Sequence, residues 1–278
     1  MMSHGTDASG GENESLAISV EAARSGDRGA LERVIRGIQD DVYRLALRMT
    51  ACPEDGRDAC QEILIRVVTR LDSFRGESSI RTWVYRIAVR HLLDRKKSRV
   101  ERLAMGFEQF GADLLDGLAA PEAPPDPMLV EEVKLGCTLA MLTCLDREHR
   151  LAYVLGEVLD LPHCEAAEFC EIREETYRQR LSRARRVLEA FTRSFCGLVS
   201  EKAPCRCDCR VARAEQLGRI ERGRPRLAQG PAREAQREMQ SLHATARLMR
   251  SHPEYAAPAD VLEGVRTALG GGRSRVLG

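Results

Sequence analysis

Cys196, Cys205, Cys207 and Cys209 are the residues whose spacing most plainly invites chemistry. The last three alternate along the chain, with Arg206, Asp208 and Arg210 between and after them. In an extended segment alternate side chains share one face, so three thiolates would converge on a soft ion. The adjacent arginines would favour thiolate over thiol. Structural zinc sites mostly use Cys-x-x-Cys knuckles, so redox sensing and idle thiols in a flexible tail stay open beside a metal site. A cysteine enzyme fits poorly, because no histidine accompanies the cluster and His163 belongs to another motif. Neither a Gly-rich phosphate loop nor a catalytic triad is evident, so no enzyme is expected.

A second set of residues points to nucleic acid. The chain has 278 residues, and 43 Lys and Arg balance 42 Asp and Glu to a net charge of +1. The signs are segregated, however. Arg86, Arg90, Arg95, Lys96, Lys97, Arg99 and Arg102 crowd one stretch, and Glu108, Asp113, Asp116, Glu122, Asp126, Glu131 and Glu132 another. Such alternation suits a protein that meets nucleic acid at one surface and protein at another. Residues 161–195 read as helix-turn-helix: a first helix from Leu161 to Phe169, a turn Cys170-Glu171-Ile172, then a long helix from Arg173. A recognition helix presents its N-terminal residues to base edges. That nominates Arg173, Glu174, Glu175, Tyr177 and Arg178 for bases and Arg180, Arg183 and Arg185 for phosphates, with Thr176 and Leu181 packing inward.

The elements that must position these residues are helical throughout, since β-type alternation is absent. Asp27 is placed to cap a helix with apolar positions Leu31, Val34, Ile35, Ile38, Val42, Leu45 and Met49. Pro53 ends it and a second helix buries Ile63, Leu64, Val67, Val68 and Leu71. A third starts near Ser78 or Ser79 and buries Ile80, Trp83, Val84, Ile87, Ala88, His91 and Leu92. The expected fold is all-α, with two small helical domains at 15–100 and 129–195. A flexible acidic linker spans 101–128, and a Cys-containing, partly helical extension spans 196–278. Two terminal helices are expected, one with Met239, Leu242, Ala246 and Met249, the other opened by Pro258 and carrying Leu262, Val265 and Leu269. They hold too little apolar surface to stand alone and should dock on a DNA-binding domain or on a partner. No signal peptide and no apolar run of membrane-spanning length is visible, so a cytoplasmic protein is expected, with Cys52, Cys60, Cys137, Cys144, Cys164 and Cys170 as small core residues.

The segments DACQEILIRVV, FRGESSIRTWVYRIAVRHLLDRKK and ETYRQRLSRARRVLEAF, in that order, resemble the signatures of an extracytoplasmic-function sigma factor of bacterial RNA polymerase over residues 15–195. The resemblance implies a non-enzymatic initiation factor that needs no cofactor. Its partners would be core polymerase (β′ clamp and β flap), promoter DNA and, in some members, an anti-sigma factor. It places Asp58, Gln61, Glu62 and Arg66 on the polymerase clamp. Phe74, Arg75, Gly76, Arg81, Tyr85, Arg86 and Arg90 fall on the −10 element, and the recognition-helix residues on the −35 element. A subset of the family carries a Cys-rich tail that responds to copper, which Cys196, Cys205, Cys207 and Cys209 resemble. Glu171 departs from the family's usual turn glycine, and Cys164 and Ala166 replace common acidic and larger aliphatic residues. The rival expectation is a stand-alone metal- or redox-responsive helix-turn-helix regulator, which leaves residues 58–97 unexplained.

Overall fold

A computed structural model describes residues 7–97, 101, 105–228 and 244–270. Twelve α-helices are described: α1 (Asp7–Arg24), α2 (Arg28–Thr50), α3 (Pro53–Thr69), α4 (Ile80–Asp94), α5 (Phe107–Leu115), α6 (Pro127–Thr143), α7 (Arg147–Tyr153), α8 (His163–Phe169), α9 (Glu174–Phe195), α10 (Cys207–Gln216), α11 (Ala244–Arg250) and α12 (Ala259–Gly270). Among the described residues the one β-type feature is an isolated bridge between Cys196 and Cys205.

Local chemistry sets the helix starts. Asp27, Ser79, Asp126 and Asp146 each accept a backbone N–H from the first turn of the helix that follows, satisfying donors that have no partner inside the helix. Pro53 and Pro127 occupy first-turn positions, where a missing N–H costs nothing. Helices α2, α3 and α4 form the first bundle, closed by Leu31, Ile35, Ile38, Ile63, Leu64, Val67, Val84 and Ala88. Gly56 lets α2 and α3 approach closely, since a Cβ there would stand 3.0 Å from the Leu47 Cα. Helix α1 packs on α2 and extends this bundle toward the N-terminus, upstream of the expected Asp27 start.

The acidic linker differs from expectation. Residues 107–115 are helical and bury Phe110 and Leu114, and Phe107 and Phe110 pack on Phe191 of α9. Its Phe–x–x–Phe–x–x–x–Leu spacing is an amphipathic stripe. The acids are taken up as well: Asp113 holds Arg210 and Arg219, and Asp116 holds Arg213. Glu101, beyond α4, sits buried between Arg147 and Arg150, and both arginines also donate to carbonyls of the first bundle. The two expected domains therefore touch over a paired, buried charge cluster.

The extension folds back onto both domains. Glu132 is buried and accepts the backbone N–H groups of Arg226, Leu227 and Ala228. Thr245 of α11 shares a hydroxyl contact of 2.7 Å with Thr192 of α9, and Arg250 reaches Asp160 at 2.8 Å. Helix α12 packs on α3. Of the two terminal stripes, Ala246, Met249, Leu262, Val265 and Leu269 are buried, while Met239 and Leu242 lie outside the described residues.

Candidate nucleic-acid and polymerase interface

The edge of α3 opposite its apolar stripe carries the first group of candidate residues. Asp58, Glu62 and Arg66 are exposed, and Gln61 is partly covered. Arg57 donates to Asp58 at 3.2 Å, and the Glu62 carboxylate lies 3.3 Å from the His91 ring. Burial lowers the His91 pKa, with Glu62 acting in the opposite direction. His91 is thus packed on α4 against the edge of α3.

Beyond a short 3₁₀ turn at Leu71–Ser73, the loop to α4 exposes Arg75, Gly76 and Glu77. Gly76 adopts φ +72°, a conformation that side-chain-bearing residues rarely take. Phe74 rests on Trp83, with ring centroids 5.5 Å apart, so both are half-buried packing partners. On α4, Arg90 is exposed and Arg81 lies 5.5 Å over the Tyr85 ring. Tyr85, expected on the −10 face, is buried in this arrangement, stacked on Phe169 of α8 at 4.6 Å, with its phenol pushed up to about 12 by desolvation. Next to it Arg86 pairs with Glu168 of α8 at 2.9 Å. The α4 face expected to meet single-stranded DNA is thus closed against the helix-turn-helix.

That motif has the expected order, with α8, a tight turn and α9. Glu171, in the turn, adopts φ +53°, the left-handed conformation that glycine serves better. Arg173 precedes the first residue of α9 without a side-chain cap, and Arg173, Glu175, Arg178 and Arg183 are exposed, while Glu174 is half-buried and pairs with Arg178 at 2.5 Å. Arg180 pairs with Glu148 at 2.7 Å, and Arg185 with the buried Glu157. Tyr177 departs from the expected base contact. It is fully buried beneath α9, its hydroxyl donating to the Ala152 carbonyl at 2.9 Å, and so it belongs to the core and not to the base-reading edge. Leu181 is buried as expected; Thr176 is half-buried.

The cysteine cluster departs further from expectation. Cys207 and Cys209 lie in the first turn of α10, where residues two apart face different directions, so alternation does not align three thiols. Among the described residues no group of three or more His, Cys, Asp or Glu side chains is placed to hold a metal ion. The copper or zinc expectation therefore has no ligand set to rest on. Nor are the thiols activated. Burial pushes Cys205 up to about 11 and Cys207 to about 12, and raises Cys196 and Cys209 as well. Arg206 is spent on the carbonyls of Glu201 and Ala203, and Arg210 on Asp113 and the Asp116 carbonyl. Sequence reasoning missed that Cys205 and Cys207 line a cavity of about 430 Å³ together with Cys137 of α6, Cys144 at the end of that helix and Cys52 just before α3. No sequence spacing relates these five.

An all-α chain with a Gly-turned loop before α4 and a helix-turn-helix at α8–α9 has the arrangement expected of the sigma class. The family model for sigma-70 region 2 matches residues 34–102. The sigma-E factor of Escherichia coli K12, an ECF RNA polymerase sigma factor, is 32% identical over 181 residues, covering 62% of this chain and 91% of the relative. SigW of Bacillus subtilis 168 is 25% identical over 180 residues, covering 63% and 96%. Among solved structures, CnrH in complex with the cytosolic domain of CnrY matches with TM-score 0.47 and 20% identity, covering 63% of this chain and 96% of that one. The chain belongs to the ECF sigma factors, which direct transcription initiation by RNA polymerase. The stand-alone regulator gives way to this assignment. No described helix is long and apolar enough to cross a membrane.

Proposed function

We propose that this sigma factor divides its work among four surfaces. Asp58, Gln61, Glu62 and Arg66 on α3 engage the core polymerase clamp, while α6–α9 face the flap. The loop Phe74–Gly76, with Arg81, Arg86 and Arg90, receives the displaced strand of the −10 element; guanidinium groups hold phosphates, and extrusion of a base costs a few kcal/mol that a pocket must offset. Arg173, Glu174, Glu175 and Arg178 read the −35 duplex, with Arg183 and its neighbours on phosphates. DNA opening draws on binding energy alone, with no enzymatic step. In this reading the Arg86–Glu168 and Tyr85–Phe169 contacts separate before α4 receives DNA.

The observation that carries it is the sidedness of α9: Tyr177, Leu181, Ala184 and Leu188 are buried on one side while Arg173, Arg178, Arg183 and Arg186 stand exposed on the other. Run-off transcription with core polymerase, on DNA upstream of the protein's own gene, tests it. A transcript that depends on Arg178 and on Glu62 supports the division. A transcript untouched by Arg178→Ala and by Glu62→Arg removes it.

A further inference from the structure

The extension does more than fill space beside α3. Glu54, Arg57 and Gln61 lie three and four residues apart and so form one stripe along that helix. The extension occupies all three. Arg226 pairs with Glu54 at 2.5 Å, and Asp260 of α12 receives Arg57 at 3.3 Å. Gly264 lies directly on Gln61: a Cβ at that position would stand 2.5–2.7 Å from the Gln61 amide atoms. Outside the stripe, Arg266 reaches Glu32 of α2 at 2.5 Å, and the Ala257 N–H donates to Asp40 at 2.9 Å. Val261 and Val265 are fully buried in this contact, so α12 is seated by apolar burial and oriented by charge.

We propose that α12 is an intramolecular cover on the polymerase-docking edge of α3, and that the chain must lift it before binding core enzyme. This rests on the assignment of α3 to core binding. Gln61 is the shared residue. A partner helix needs about 10 Å of width to lie along α3, and one that grips Gln61 together with Asp58 and Glu62 meets Gly264 in the same place. Asp58 and Glu62 stay exposed beside the cover, so an arriving partner has a foothold from which to displace it. The closed fraction then lowers the apparent affinity for core in proportion to its population.

The test compares the full-length chain with two variants, each titrated with purified bacterial core RNA polymerase by fluorescence anisotropy, with circular dichroism as the check on folding. Val265→Asp places a charge in the buried seat of α12. The double reversal Asp260→Arg with Arg266→Glu turns both α12 ion pairs repulsive and touches only exposed side chains. Release of the cover gives binding about tenfold tighter for Val265→Asp and about threefold for the double reversal, the factor by which the open population rises. If Val265→Asp loses its fold, the double reversal decides. Affinities unchanged from the unaltered chain overturn the cover. Adding Glu62→Arg to the released variant examines the α3 assignment separately. Lost binding upholds that assignment whatever the cover does, and undiminished binding removes the assignment and the cover with it.

Discussion

Arg86 of α4 and Glu168 of α8, 82 residues apart in sequence, meet at 2.9 Å and close α4 onto the helix-turn-helix. Beside them the Tyr85 and Phe169 rings stack at 4.6 Å. The ion pair is well exposed and should add no more than about 1 kcal/mol, whereas truncating a buried aromatic costs about 3–5 kcal/mol. Urea unfolding of Glu168→Ala and Phe169→Ala should show that disparity. Equal losses would mean that the ion pair contributes as much as the stacked rings to closing α4 onto the helix-turn-helix.

Tyr177 and Arg178 are neighbours with opposite tasks. Tyr177→Phe strands the Ala152 carbonyl in the core and should cost about 1–3 kcal/mol of stability, with no change in −35 preference. Arg178→Ala should leave the melting curve in place and weaken promoter binding by about 1–3 kcal/mol. Denaturation paired with promoter titration separates the two; a shift of base preference in Tyr177→Phe would contradict its burial.

Glu171 holds a left-handed backbone at φ +53° in the helix-turn-helix. Replacement by glycine relieves that strain at the expense of a freer unfolded chain, for a net gain of about 0.5–1 kcal/mol. A rise in midpoint for Glu171→Gly checks this, and a fall would show that the Glu171 side chain outweighs the strain.

His252 gives the extension a pH dependence. Its ring contacts Thr138 and Tyr255, and desolvation, then the Arg48 and Lys134 charges, push its pKa down to about 3. A histidine depressed below its unfolded value near 6.5 is neutral in both states above that pH, so stability is complete there. Below it the unfolded chain takes up a proton that the folded chain refuses, and stability falls by about 1.4 kcal/mol per pH unit until the folded pKa is reached. Hydrogen exchange at pH 7 and pH 5 should show α11 and α12 losing protection on acidification, and His252→Gln should flatten that response.

Much of this molecule was legible in its sequence, because helix periodicity and caps are local. Asp27, Ser79 and the 161–195 motif carry their structural meaning within a few residues. So does Glu171, whose left-handed turn follows from its place between two helices. The linker helix was equally local, written in the spacing of Phe107, Phe110 and Leu114, but masked by its surrounding prolines and acids. Tyr177 was legible too, since it shares an i, i+4, i+7, i+11 stripe with Leu181, Ala184 and Leu188, but its place in the first turn of a recognition helix also says base contact, and the Ala152 carbonyl beneath α9 takes its hydroxyl. Tertiary structure alone decided three matters. It withheld a metal geometry from the cysteines, since α10 begins at Cys207 and turns alternate thiols apart. It gathered Cys52, Cys137, Cys144, Cys205 and Cys207 around one cavity, a grouping no spacing encodes. And it laid Gly264 on Gln61, a contact between residues whose types carry no sign of each other. Local patterns determine which helices form and which faces are apolar; long-range burial determines which of those faces remain free to meet a partner.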